Sequence, residues 1–371
     1  MDRFRVVICG GGIAAIEGLL RLRRLAGDAI EIKFLSPADE LRYRPVSVQE
    51  PFARPAARRY RLGRIADRTR SEWVQDAVEW IDPDGQAVHT RAGESLPYDG
   101  LLLAVGARTA APFQHVTVFD DARADETFQG VVQDVEGGYT RSVALLVPEG
   151  PAWPLPVYEL ALMTAERASS MGLEGVGVIL VTSEPAPLAA FGEEASRAAT
   201  DLLERARVQV HASSTAEVPA SRHLVVRPAG VELEPERIVA MPLIEGPGIR
   251  NVPAVARGFI PVDDRCRVRG LGERVFAAGD AIDFPVKHGG LGAQQADVAA
   301  AGISALAGAG GEPEPLRPVI RGVLYTGAEP LFLTAHMSDG DVKSEVTREP
   351  AWPSDEKVAA EELGPFLRSL E

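Results

Sequence analysis

The 371-residue chain has two cysteines, Cys9 and Cys266, and no C-x-x-C pair. Chemistry that needs two adjacent thiols is therefore excluded. Cys9 closes an apolar run and reads as a small core hydrophobe. Cys266 stands between Arg265 and Arg267; it is either a thiol activated by their charge or an inert cysteine beside surface arginines. No apolar stretch reaches the roughly 18 residues that a membrane span needs. Only Met1-Asp2-Arg3 precede the first apolar run, so no signal peptide is expected and the protein reads as soluble and cytoplasmic. Metal-ligand spacing and a G-x-S-x-G nucleophile are both missing. Basic charge is in short supply: 39 Lys and Arg against 53 Asp and Glu leave a net charge of -14, which argues against nucleic acid and anionic membranes as partners.

Glycine at particular places is what the chain does have. The apolar run Phe4 to Cys9 breaks into Gly10-Gly11-Gly12-Ile13-Ala14-Ala15 and resumes as a helical pattern through Ile16, Leu19, Leu20, Leu22 and Leu25. Strand, turn and helix are the context that a G-x-G-x-x-[GA] dinucleotide fingerprint requires. Gly10 permits the turn, Gly12 lets backbone approach a pyrophosphate, and Ala15 keeps helix and strand close. The helix N-terminus offers unpaired N–H groups and partial positive charge. Near the other end, Arg274-Val275-Phe276-Ala277-Ala278-Gly279-Asp280 reads as a buried strand ending in a permissive glycine and a carboxylate suited to a ribityl or ribose hydroxyl, with a small-residue helix expected from Ala293 to Ala301. A third strand and glycine turn spans Tyr98 to Ala107, with Ala104 and Gly106 at its end.

Strand and helix patterns alternate, so the expected class is α/β with two Rossmann-like, doubly wound domains. The length suits two or three domains. One is expected to be discontinuous, over 1–110 and 235–312, and to enclose a second over 111–234. The second would have strands Val143 to Val147, Val176 to Val181 and Val208 to His211, and helices Tyr158 to Met171 and Glu193 to Ala206. Residues 313–371 would form a C-terminal segment with a strand pair around Gly322 to Tyr325 and Leu331 to Ala335.

The three ordered motifs resemble the FAD-dependent pyridine nucleotide-disulfide oxidoreductase superfamily. Lys287-His288-Gly289-Gly290-Leu291-Gly292-Ala293-Gln294-Gln295-Ala296-Asp297 looks most like the sulfide:quinone oxidoreductase branch, with type II NADH dehydrogenases next. The resemblance covers most of residues 1 to 335. It implies a noncovalent FAD, a quinone or small-molecule electron acceptor, and admits a homodimer. It places FAD against Gly10, Gly12, Ile13, Ala14, Ala15, Ala104, Gly106, Gly279 and Asp280, puts the adenine edge at Val78, and sets the flavin pyrimidine before Gly290, Leu291 and the helix carrying Gln294. Tyr43-Arg44-Pro45 resembles the loop under the isoalloxazine; Arg44 either neutralises charge there or is one more surface arginine. Lys287 would stabilise reduced anionic flavin, or be a solvated lysine. Glu159 would point toward flavin N5 and gate protons, or merely complement a helix dipole. His288 is a proton donor or a structural histidine.

Departures from the resemblance matter as much. The expected acidic residue after the second strand is Ser36, with Asp39 and Glu40 as alternatives in the loop beyond. The central cysteines of sulfide oxidation are missing. After Val147 no second glycine fingerprint follows; Pro148-Glu149-Gly150-Pro151-Ala152-Trp153-Pro154-Leu155-Pro156 removes N–H donors and adds a carboxylate, so direct NAD(P)H use is not expected. An NADH dehydrogenase-like enzyme and a non-catalytic flavin-binding sensor or scaffold stay open as other readings. The tail around Val358 to Arg368 is acidic and interrupted by Gly364-Pro365, poor material for a membrane-surface helix.

Overall fold

Phe4–Cys9 forms the central strand of a five-stranded parallel sheet in the computed structural model, which describes residues 3–54, 57–338, 341–352 and 357–371. The strand order is Val275–Ala277, Gly100–Leu103, Phe4–Cys9, Ile30–Leu35, Glu72–Val74. The described helices are α1 (Ile13–Ala26), α2 (Leu62–Thr69), α3 (Ala124–Glu136), α4 (Leu155–Ser170), α5 (Glu193–Arg205), α6 (Gly289–Leu306) and α7 (Leu363–Arg368).

Strand alternation decides the layers. Val6 and Ile8 face the core shared with α1 and α6, whereas Val7 and Cys9 face one shared with Ile81, Val88 and Leu96 of a three-stranded antiparallel layer. Both faces are covered, which is why the central strands carry near-continuous apolar runs. A second parallel sheet repeats the plan, in the order Thr117–Val118, Arg237–Ala240, Ser142–Leu146, Gly177–Val181, Gln209–His211. Val143 and Leu145 pack toward α3, α4 and α5, and Ala144 and Leu146 toward Leu224 and Val226 of another antiparallel layer. The α/β class with two Rossmann-like units is thus what the chain adopts. Arg237–Ala240 hydrogen-bonds inside the second sheet.

The C-terminal strand pair is a three-stranded sheet, Val319–Leu324, Leu331–Ser338 and Asp341–Thr347. Its third strand escapes a hydrophobicity reading because Asp341-Val342-Lys343-Ser344-Glu345-Val346-Thr347 is mostly polar and lies at the sheet edge. Helix α6 runs longer than expected because its glycines, weak helix formers by themselves, are held by packing; a Cβ on Gly302 would stand 2.5 Å from the Phe276 ring.

The tail docks rather than projecting. Leu363, Leu367 and Leu370 join the core beneath α1, and the buried Glu17 carboxylate of α1 accepts the Glu362 N–H at 2.9 Å and the Leu363 N–H at 2.6 Å. One helix therefore caps the start of another. Glu17→Ala strips a buried and a half-buried N–H of their acceptor and is expected to lower stability by about 1–3 kcal/mol, read as a shift in urea midpoint at unchanged slope. A wild-type midpoint would mean that the tail contributes nothing to the fold. Among the described residues no helix is long and apolar enough to cross a membrane.

Candidate functional site

Three sequence motifs lying far apart in the chain meet at the carboxyl end of the first sheet. Gly10 takes φ +139°, and a Cβ there would lie 2.1 Å from the Ala104 carbonyl oxygen. The first glycine is thus pressed against the third motif. A Cβ on Gly279, at φ +77°, would lie 3.1 Å from the Ala14 Cβ, and one on Gly292 would lie 3.1 Å from Gly279 Cα. A Cβ on Gly289 would meet Ile13 at 2.9 Å. The starts of α1 and α6 and the Gly279-Asp280 turn therefore form one contiguous patch.

Gly12 is the exception. A Cβ there would find no heavy atom within 4 Å, so the second glycine of the fingerprint looks into open space at the α1 N-terminus. Neither α1 nor α6 receives a side-chain cap at that end. Bare helix N-terminal N–H groups, an open cradle and the Asp280 carboxyl suit the pyrophosphate and polyol of a dinucleotide. Ser36 is buried behind Gly11, where a Cβ would touch its Oγ at 2.6 Å.

Burial pushes Asp280 above the usual carboxylate range, opposed by the Lys287 charge. Lys287 is itself buried; its ammonium donates to the Ile282 carbonyl and sits 3.7 Å over the Phe259 ring. Desolvation lowers it to about 8 against the pull of Asp280 and Asp283. It is not the solvated lysine that the sequence allowed. Arg44 pairs with Asp121 at 3.1 Å, and both remain about half exposed; this ties the loop Arg44–Phe52, with Pro45 in its first turn, to the segment before α3. Val78 opens a strand that pairs with Thr90, and Ala104 N–H donates to Cys9 O at 2.8 Å. Gly106 follows at φ +74° and Leu291 is buried behind Gly290.

Two placements differ from the sequence reading. Gln294 spends its carboxamide on Val319, donating to its carbonyl at 2.8 Å and accepting its N–H at 3.0 Å. Its neighbour Gln295 instead accepts the Gly279 N–H at 2.8 Å and so fixes the Asp280 turn. Glu159 is neither at an open flavin edge nor a dipole partner: it is fully buried and bound by Lys357. Beside Cys266, Arg265 and Arg267 turn to Pro313, Asp264 and Glu312. Buried at 1 % exposure, its thiol is pushed up to about 12 by desolvation and by Asp263 and Asp264; desolvation alone does the same to Cys9. His288 is buried, and desolvation together with Lys357 lowers it to about 3, so it is neutral near pH 7. Sequence reasoning missed Glu184, just beyond the strand Gly177–Val181. One of its oxygens accepts the Tyr158 hydroxyl at 2.6 Å, while the other is buried with no hydrogen-bond partner among the described residues.

The overall architecture superposes on the crystal structure of the sulfide:quinone oxidoreductase from Aquifex aeolicus with a TM-score of 0.82 over 93 % of this chain and 87 % of that one, at 20 % identity. The two chains share one fold, an α/β architecture with two Rossmann-like units. A ferredoxin reductase from Rhodopseudomonas palustris shares this fold with a TM-score of 0.68 over 90 % of this chain and 82 % of that one, at 19 % identity. In sequence, an NADH dehydrogenase-like protein of Mycobacterium tuberculosis is 28 % identical over 303 residues, 74 % of this chain and 72 % of its own. The sulfide-quinone reductase of Aquifex aeolicus is 25 % identical over 293 residues, 76 % of this chain but 62 % of its own length. No protein-family model matches the chain. Fold and relatives agree on the class, an FAD-dependent oxidoreductase.

Proposed function

We propose that the chain holds one FAD noncovalently across residues 10–15, 36–45, 104–106 and 279–294, in a unit built from 1–110 and the stretch that ends near 312. It would take two electrons from a donor and pass them to a quinone or another small acceptor. The flavin supplies the redox chemistry when bound; the protein supplies the bare helix ends, the Asp280 carboxyl and a wall that excludes water. The carrying observation is the open Gly12 position, where a Cβ would meet nothing within 4 Å, next to Gly10, Gly279 and Gly289, which are crowded by the other motifs. Thiol chemistry is left out because both cysteines are buried and held protonated.

NADH as the direct donor is disfavoured by the loop after Ser142–Leu146. Gly150, at φ +130°, is the one glycine of that loop, and the neighbouring Glu149 adds a carboxylate where a pyrophosphate would approach. Pro148, Pro151, Pro154 and Pro156 supply no N–H groups. Anaerobic addition of millimolar NADH is therefore expected to leave the bound flavin oxidised over minutes. Bleaching within seconds would establish the alternative reading, an NADH dehydrogenase-like enzyme, for which the unpaired Glu184 oxygen speaks: an acidic residue at that strand end receives a ribose hydroxyl in dinucleotide folds.

A further inference from the structure

Helices α1 and α6 pack so closely that a Cβ on Gly18 would stand 3.5 Å from the Ala296 Cβ, and the C-terminal tail docks beside this seam. There the three elements bring four carboxyl groups, Glu17, Asp297, Glu361 and Glu362, to two guanidinium groups, Arg21 and Arg24. Arg21 Nη1 donates to Glu361 at 3.2 Å and to Glu362 at 3.3 Å, and Arg24 lies 3.1 and 2.7 Å from the same two carboxylates. The buried Glu17 spends both oxygens on the tail N–H groups of Glu362 and Leu363. Asp297 is the carboxyl left over.

It is the one charged residue of α6. Arg21 Nε lies 4.0 Å from Asp297 Oδ1, too far for a hydrogen bond, and both atoms are buried without a hydrogen-bond partner among the described residues. With all six groups ionised, the joint would hold four negative charges against two positive. A carboxylate without donors in such a place is costly, and protonation removes one of the surplus charges. Desolvation and then the Glu17 charge push Asp297 up to about 8; Arg21 pulls the other way, and Glu361 and Glu362 add to the rise.

We propose that residues 361–371 form a strap whose docking on α1 and α6 takes up one proton at Asp297, so that the strap is closed in acid and loosens as the pH rises. The proton comes from solvent and binds an Asp297 carboxylate oxygen; no other bond is made or broken. With the strap off, Asp297 lies on the surface of α6 and titrates as an ordinary carboxyl near pH 4. Below about pH 4 both forms hold the proton, and from there to about pH 8 only the docked form does, so docking weakens about tenfold per pH unit. Above about pH 8 neither holds it and the dependence ends. Glu17, raised by burial against its two N–H donors, acts in the same direction in every variant. Farther along the strap, Glu371 meets the Tyr60 hydroxyl at 3.0 Å and Arg58 at 2.8 Å, and neither of those partners titrates between pH 5 and 7. The seam that the strap closes belongs to the two helices whose N-terminal ends carry the FAD reading, but the docking inference does not depend on that reading.

The test is hydrogen exchange of the full chain, read by mass spectrometry as the protection of the strap amides, Glu362 and Leu363 among them, after correction for the intrinsic exchange rate at each pH. From pH 5 to pH 7 wild-type protection is expected to fall about a hundredfold, one proton over two units. Asp297→Asn has nearly the same shape and no proton to lose, and its slope is expected to be shallower than the wild-type slope by about tenfold per unit. Asp297→Ser serves the same purpose if the amide variant fails to fold. Leu367→Ala, which weakens only the apolar contact, lowers protection at every pH and keeps the wild-type slope. A wild-type protection that stays level from pH 5 to pH 7, or one slope shared by the wild type and the Asp297 variants, would overturn the inference. FAD uptake is measured separately, so its failure would remove the cofactor reading and leave the strap standing.

Discussion

Gly12→Asp is expected to give a folded protein without flavin. Gly12 lies at φ -90° and ψ -170°, extended backbone open to any residue, and its Cβ would meet nothing within 4 Å. It is also the N-cap of α1, where Asp is among the favoured residues. Folding should therefore be unaffected or slightly improved. Binding should not survive, because the carboxylate enters the space assigned to the pyrophosphate with the same sign of charge. Two unit charges about 4 Å apart at an effective dielectric of about 20 repel by ~4 kcal/mol, about a thousandfold in affinity. Circular dichroism and the ratio of flavin to protein absorbance measure the two halves of this expectation. A variant that keeps stoichiometric FAD would put the cofactor elsewhere.

Two residues earlier the same chemistry has the reverse outcome. Gly10→Ala places a Cβ 2.1 Å from the Ala104 carbonyl oxygen and 2.7 Å from its carbon, at a φ of +139° that L-residues rarely adopt. Both obstacles are backbone, pinned by Gly10 N–H on Leu35 O at 2.7 Å and Ala104 N–H on Cys9 O at 2.8 Å. Neither can swing aside as a side chain would. Backbone strain and overpacking each cost about 1–3 kcal/mol, so a loss of about 2–6 kcal/mol is expected in urea unfolding of the apoprotein. Wild-type stability would show that the central strands separate more easily than their hydrogen bonding indicates. The pair of variants separates a glycine required by the fold from one required by the ligand.

What was readable in the sequence follows from local chemistry. Gly10, Gly279 and Gly106 announce turns at the ends of continuous apolar strands, and those strands have few ways to be buried other than in a parallel sheet. The fold class and the meeting of the three motifs came from that. Helix boundaries shifted where glycine propensity and tertiary packing disagree, as at Gly289 to Gly292. Partnerships across long stretches of chain were not readable. Lys357 looks like an ordinary solvated lysine until Glu159 is placed opposite it, and Arg44 like a surface arginine until Asp121 is. Gln295, and not the expected Gln294, reaches the Gly279 turn, because only the helical angle decides which faces Val319 and which faces Gly279. Arg265 and Arg267 flank Cys266 in sequence and left two readings of it open; the fold turns their charges to Asp264 and Glu312 and leaves the thiol among the core residues. Glu17 gives no hint in sequence that it caps a helix more than three hundred residues away.

The central claim is that the cradle at Gly12 and Asp280 holds FAD, and the near-ultraviolet and visible absorbance spectrum of the freshly purified protein, repeated after incubation with FAD and removal of the excess, tests it most directly. The account predicts the two flavin bands at one FAD per chain. A protein that is folded and shows no flavin absorbance even after incubation would contradict it.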